Sequence, residues 1–320
     1  MRSSTGRALV LVAVAMSATA CGTSHGLTWR PAPEPEPAAA PPAPVVQPAP
    51  AGVTVIELDL IDPSRPTNAA PDVAASPSRA LPTTVYLPPA ATAAPLVVVA
   101  HGAGGAPAKF TALATYWAEH GYVVAIPRFP LTSDLVAEPV LADFPEQARD
   151  VRFVIDELLA RSAGVDAPLS GRIDPERIGL FGLSLGTLTV WSEVLGEQPD
   201  PRIDALIQSD GTTFVAPERF GEITFPVLVA HSDVDVLFPY ADVVAAYDRL
   251  PGEKYLLTLH GAVHATVAED TVTPADASYQ QTTTVFWART LGGSVTEPFP
   301  EPVDGVTSFV VGALVLPGTR

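Results

Sequence analysis

The chain has one cysteine, Cys21, among 320 residues, so no disulfide can form within it. Basic side chains are scarce. Eighteen Lys and Arg stand against 35 Asp and Glu, for a formal charge of -17. A protein that neutralises phosphates needs a cationic face, so this balance argues against a nucleic-acid partner and suits solubility instead. The N-terminal apolar run, Ala8 to Met16, falls short of the roughly 20 residues that a membrane-spanning helix requires. No internal repeat is present, and no His/Cys set has metal-ligand spacing, so neither a metal nor a cofactor is expected. The glycine run 101–105 lacks both the Lys-Ser/Thr ending of a phosphate loop and the spacing of a dinucleotide fingerprint.

Hydrophobic residues make up 47% of the sequence, ample for a sizeable core in a chain of this length. The first 20 residues read as an export signal: Arg2 and Arg7, then the apolar run, then small residues. Cys21 follows Ala18-Thr19-Ala20, which resembles the lipobox of bacterial lipoproteins with alanine where leucine is usual. That resemblance implies an exported protein held at the outer face of a membrane by acylated Cys21; plain secretion is the alternative. Proline numbers 35 and concentrates toward the N-terminus. Residues 21–52, with the stretch "RPAPEPEPAAAPPAPVVQPAPAG", read as an extended, semi-rigid tether with nothing to pack.

From residue 53 to 293, strand-like and helix-like segments alternate, which predicts an α/β domain with about eight mostly parallel strands flanked by helices. "PLVVVAHGAGG" (95–105) is a buried-strand run ending in glycines, and "DFPEQARDVRFVIDELLARSA" (143–163) has helical apolar spacing. Helices are also predicted over 109–120, 185–195, 240–249 and 278–291. Residues 294–320 form an extension whose apolar run "TSFVVGALVL" is a candidate extra strand.

The stretch "IGLFGLSLGTLTV" (178–190) sets Gly182-Leu183-Ser184-Leu185-Gly186 between a predicted strand and a predicted helix, the context of a nucleophile elbow. A serine hydroxyl needs a base, and the base needs an acid to orient it. His264, in the loop after the last predicted strand of the domain, is the candidate base, with His260 its rival four residues earlier. Asp235 in "HSDVDVLFP" is the candidate acid, with Asp233 as its turn-forming neighbour; Asp210 in "QSDGT", after the preceding strand, is the rival. Amides of Leu185 and of Ala103, or else Gly102, are the candidate oxyanion donors.

These motifs, with "EHGYVVAIPRFP" and "RDVRFVID", resemble the α/β-hydrolase superfamily over residues 53–293. Within it they are similar to the branch that holds dienelactone-hydrolase-like proteins, chlorophyllases, platelet-activating-factor acetylhydrolases and cutinase-like polyester hydrolases. The resemblance implies an α/β-hydrolase fold without a large lid and a serine carboxylic-ester hydrolase acting on small or medium acyl esters. The polyester-hydrolase pattern around the acid corresponds to 231–239 and selects Asp235, whereas chlorophyllases and the acetylhydrolases take their acid after the earlier strand, where Asp210 stands. Ser184 occupies the position of dienelactone hydrolase's cysteine. Ala103 and Leu183 depart from the aromatic and Trp/His residues of the polyester hydrolases. A serine peptidase of the same fold and a non-catalytic binding lipoprotein are the competing classes.

Overall fold

The computed structural model describes residues 45–48, 52–89, 93–165, 167–212 and 217–312. All belong to the second of two compact units, Pro41–Arg320. The export signal, Cys21 and most of the expected tether lie outside the described residues.

The sheet is α/β in character, with ten strands where the sequence suggests about eight. They are β1 (Val45–Pro48), β2 (Thr54–Asp62), β3 (Arg79–Leu87), β4 (Ala94–Ala100), β5 (Val123–Pro127), β6 (Ile173–Leu183), β7 (Ile203–Ser209), β8 (Val227–Ser232), β9 (Lys254–Leu259) and β10 (Thr307–Gly312). Their order is β1-β2-β3-β5-β4-β6-β7-β8-β9-β10. The six strands from β5 to β9 run parallel, and β1, β2, β3 and β10 pair antiparallel at the two sides. The two additions are edge strands. β1 lies inside the stretch read as a tether, because a Val-Val pair flanked by prolines can still ladder along one partner. β10 settles the apolar run of the C-terminal extension as a strand on β9; residues 313–320 lie outside the described residues.

Every residue of β4 is buried, as a parallel strand covered on both faces requires. Its side chains alternate between two cores. Leu96 and Val98 pack with helices α2 (Phe144–Ala163), α3 (Leu185–Leu195) and α4 (Tyr240–Arg249) on one face. Val97 and Val99 pack with α1 (Thr111–Glu119) and α5 (Asp276–Thr290) on the other, where Trp117 and Trp287 meet edge to face. In α2, Val151, Val154, Ile155 and Leu158 form the buried stripe, matching the apolar spacing.

After β4 the chain turns through α1 to β5 on one side, and after β5 it returns through α2 to β6 on the other side of β4. This reversal makes the carboxyl ends of β4 and β6 a topological switch point, the place where open parallel sheets hold ligands. Among the described residues no helix is long and apolar enough to cross a membrane.

Candidate active site

Ser184 stands between the end of β6 and the start of α3 with φ 54° and ψ -119°, a conformation that costs a non-glycine residue of order 1–3 kcal/mol. The flanking glycines permit it. A Cβ on Gly186 would lie 1.9 Å from the Ala100 carbonyl oxygen, and one on Gly182 would lie 2.5 Å from the Gly186 oxygen. The turn is therefore pressed against the end of β4, and no side chain fits at either position.

His264 reaches this turn from the loop after β9. Its Nε2 is 2.8 Å from Ser184 Oγ, and its Nδ1 is 2.6 Å from Asp235 Oδ2. A carboxylate can only accept, so Nδ1 carries the proton and the Nε2 lone pair faces the serine hydroxyl. The remaining Asp235 oxygen accepts the amides of Leu237 at 2.8 Å and Phe238 at 3.0 Å, a local turn that aims the carboxylate. Burial pushes the Asp235 carboxyl up, but bonds from His264, Phe238 and Leu237 outweigh it and hold the group below the usual range. Asp235 is buried at the side chain, and His264 retains 16% exposure, enough to meet a substrate.

Asp210, the rival acid, does not bond His264 among the described residues. It sits after β7 at φ 40°, fully buried, and its two oxygens accept the amides of Ser232 at 2.8 Å and Ala265 at 2.9 Å. Its carboxylate thus binds the residue next to His264 through the backbone instead of the ring. Burial raises its pKa. His260, the rival base, points elsewhere, onto Asp233 and Ser308.

Of the candidate oxyanion donors, Leu185 follows Ser184 in the chain and Gly102 lies against it. Leu185 is the first residue of α3, where an N–H has no intrahelical acceptor. In the loop after β4, Gly104 and Gly105 donate to the carbonyls of Thr132 and Gly102. The Ala103 amide has no such partner among the described residues, and Ala103 is exposed. Gly102 is buried against the turn, where a Cβ would come within 2.9 Å of Ser184 Cβ.

Two histidines gain roles that their sequence positions do not disclose. Buried His101 donates from Nδ1 to the Gly102 carbonyl at 2.7 Å and accepts the Phe129 amide on Nε2 at 3.2 Å. Burial pushes its pKa down to about 4, so the neutral ring braces the glycine loop. His231 bonds the Phe238 carbonyl at 2.8 Å, beneath the Asp235 turn. Asp210, His231 and Asp235 bring ligand-type atoms within 4.8 Å of one another, a cluster assembled in space that no linear spacing reveals. Its carboxylate oxygens are all committed to amides or to His264, while among the described residues His231 Nδ1 has no hydrogen-bond partner.

No known protein-family model matches the chain, and no curated protein matches it significantly.

Proposed function

We propose that this protein is a serine carboxylic-ester hydrolase of the α/β-hydrolase type, working through an acyl-enzyme intermediate. The observation that carries the reading is the continuous hydrogen-bonded line from Asp235 through His264 to Ser184, ending on a hydroxyl in a strained turn at the end of β6. That line is what moves a proton off a serine at neutral pH.

In the proposed reaction Ser184 Oγ attacks the ester carbonyl while His264 Nε2 takes its proton. Asp235 holds the ring in the required tautomer and stabilises the imidazolium that forms. The Leu185 and Ala103 amides, with Gly102 as the alternative donor, receive the negative charge on the carbonyl oxygen; each such donor contributes about 3–4 kcal/mol to the transition state. His264 then protonates the departing alcohol, and water repeats the sequence to free the acid. Acyl transfer to serine proceeds without a metal or cofactor.

Val236, Leu237 and Val263 are exposed hydrophobic residues adjoining Asp235 and His264. Small or medium acyl esters are the proposed substrates, on the resemblance of the sequence motifs. Export, with attachment through Cys21 to the outer face of a membrane, is part of the same proposal and rests on the N-terminal sequence.

The direct test is hydrolysis of a p-nitrophenyl ester series of increasing acyl length by the native chain and by Ser184→Ala. Saturable turnover that the substitution abolishes supports the reading. Equal turnover by both proteins would overturn it.

A further inference from the structure

A second serine-histidine-aspartate line lies outside the site just described. His260 Nδ1 is 2.7 Å from Asp233 Oδ2, and His260 Nε2 is 3.1 Å from Ser308 Oγ. The atom-to-atom pattern is that of the first site: carboxylate on Nδ1, hydroxyl on Nε2. The carboxylate is fixed independently of the ring, since Asp233 Oδ1 accepts the Gly261 amide at 2.8 Å and the Asp233 amide donates to the Leu259 carbonyl at 3.2 Å. Because a carboxylate can only accept, the Nδ1 proton belongs to the Asp233 bond, and the Nε2 lone pair is left facing Ser308. The three residues come from the end of β8, the end of β9 and strand β10, so pairing of the C-terminal strand on β9 is what assembles them.

His260 also lines a cavity of about 330 Å³ whose walls include Ala262, Val263, Val272, Pro274 and Val306. Its lining includes His260 but not Ser308, so it offers room for a small apolar group beside the imidazole rather than at the hydroxyl.

We propose that Ser308 is a second nucleophile, activated by His260 and Asp233, which takes the acyl group of small activated esters such as aryl esters. Ser308 Oγ bonds to the acyl carbon as His260 Nε2 removes its proton. The bond from acyl carbon to leaving oxygen breaks, and the leaving group departs with that electron pair and the proton from His260. Water attacks the acyl-serine in the same way and releases the acid.

Activated esters are specified because this line is wetter than the first. The His260 and Asp233 side chains are 36% and 30% exposed, against 16% and 0% for His264 and Asp235. Water screens the imidazolium-carboxylate attraction, so proton transfer receives less help here and the leaving group must be good.

The test is run in Ser184→Ala, so that it does not depend on the first site. Ser184→Ala, Ser184→Ala/Ser308→Ala and Ser184→Ala/His260→Gln are each incubated with a fluorophosphonate and with p-nitrophenyl acetate, and adducts are located by peptide mass mapping. The expected result is an adduct on Ser308 that forms at least about tenfold more slowly when His260 is glutamine. Melting curves establish that each variant is folded, and Asp233→Asn in the same background is the second probe of the line should the histidine variant not fold. No adduct on Ser308 beyond that on other exposed serines, or the same labelling rate in folded His260 or Asp233 variants, overturns the proposal.

Discussion

The Asp210 carboxylate accepts the backbone amide of Ala265 at 2.9 Å, while the neighbouring ring of His264 turns to Asp235 at 2.6 Å. Two buried aspartates therefore serve one loop in different ways. Asp210 holds its backbone, and Asp235 orients its imidazole. This division distinguishes the consequences of changing either one.

Asp235→Asn is expected to lower kcat by roughly 10⁴-fold with little change in fold, since an amide can favour the wrong tautomer of His264. Asp210→Asn places an NH₂ group against amide donors and is expected to cost about 1–3 kcal/mol of stability, with a much smaller loss of kcat. Urea unfolding and steady-state kinetics on both variants check this. A larger kcat loss for Asp210→Asn would reverse the assignment.

Replacing Ser184 or His264 by alanine should each reduce ester turnover by about 10⁴-fold or more, and the double variant should be little worse than either single one, because the two act as a unit. Additive losses in the double variant would mean that they act separately.

The glycines of the turn make a steric prediction. Gly186→Ala forces a methyl group to 1.9 Å from a backbone oxygen and is expected to cost several kcal/mol or prevent folding. Among the described residues Gly221→Ala meets no atom within 4 Å, and it should be neutral or stabilising by up to about 1 kcal/mol. Thermal melts of the two variants separate these outcomes.

Glu193 provides a pH prediction away from the site. Burial pushes its carboxyl up from 4.5 to about 7, although Arg152 bonds it at 2.7 and 2.9 Å and opposes the rise. A raised pKa in the folded state means that its contribution is fully present below pH 4.5 and is lost as pH climbs through about 7. The loss is at most about 3 kcal/mol. Between about pH 5 and pH 8 the urea midpoint should therefore fall further for the native chain than for Glu193→Gln. Parallel changes in the two proteins would remove Glu193 as the cause.

Local elements were legible because their signals are local. Helices α3 (Leu185–Leu195) and α4 (Tyr240–Arg249) begin and end at the residues their periodicity indicates. The edge strands were harder: Val45–Pro48 carries proline on both sides, and nothing in Thr307–Gly312 names β9 as its partner. Strand pairing is a relation between distant segments, and a short run carries no record of which edge is vacant.

Residue order alone specifies the α/β alternation, the Gly-Ser-Gly turn after a strand, and the short set of histidines and aspartates able to serve it. Selection among that set happens only in the folded chain. Asp210 and Asp235 both follow buried strands and are both buried, yet the backbone of Asp210 at φ 40° delivers its oxygens to Ser232 and Ala265, while the turn after Asp235 delivers one oxygen to His264. The same holds for His260, which the pairing of β10 with β9 brings to Ser308. A hydrogen bond depends on direction over a few ångströms, and side-chain direction is set by the folded backbone and its neighbours, which composition and spacing do not encode.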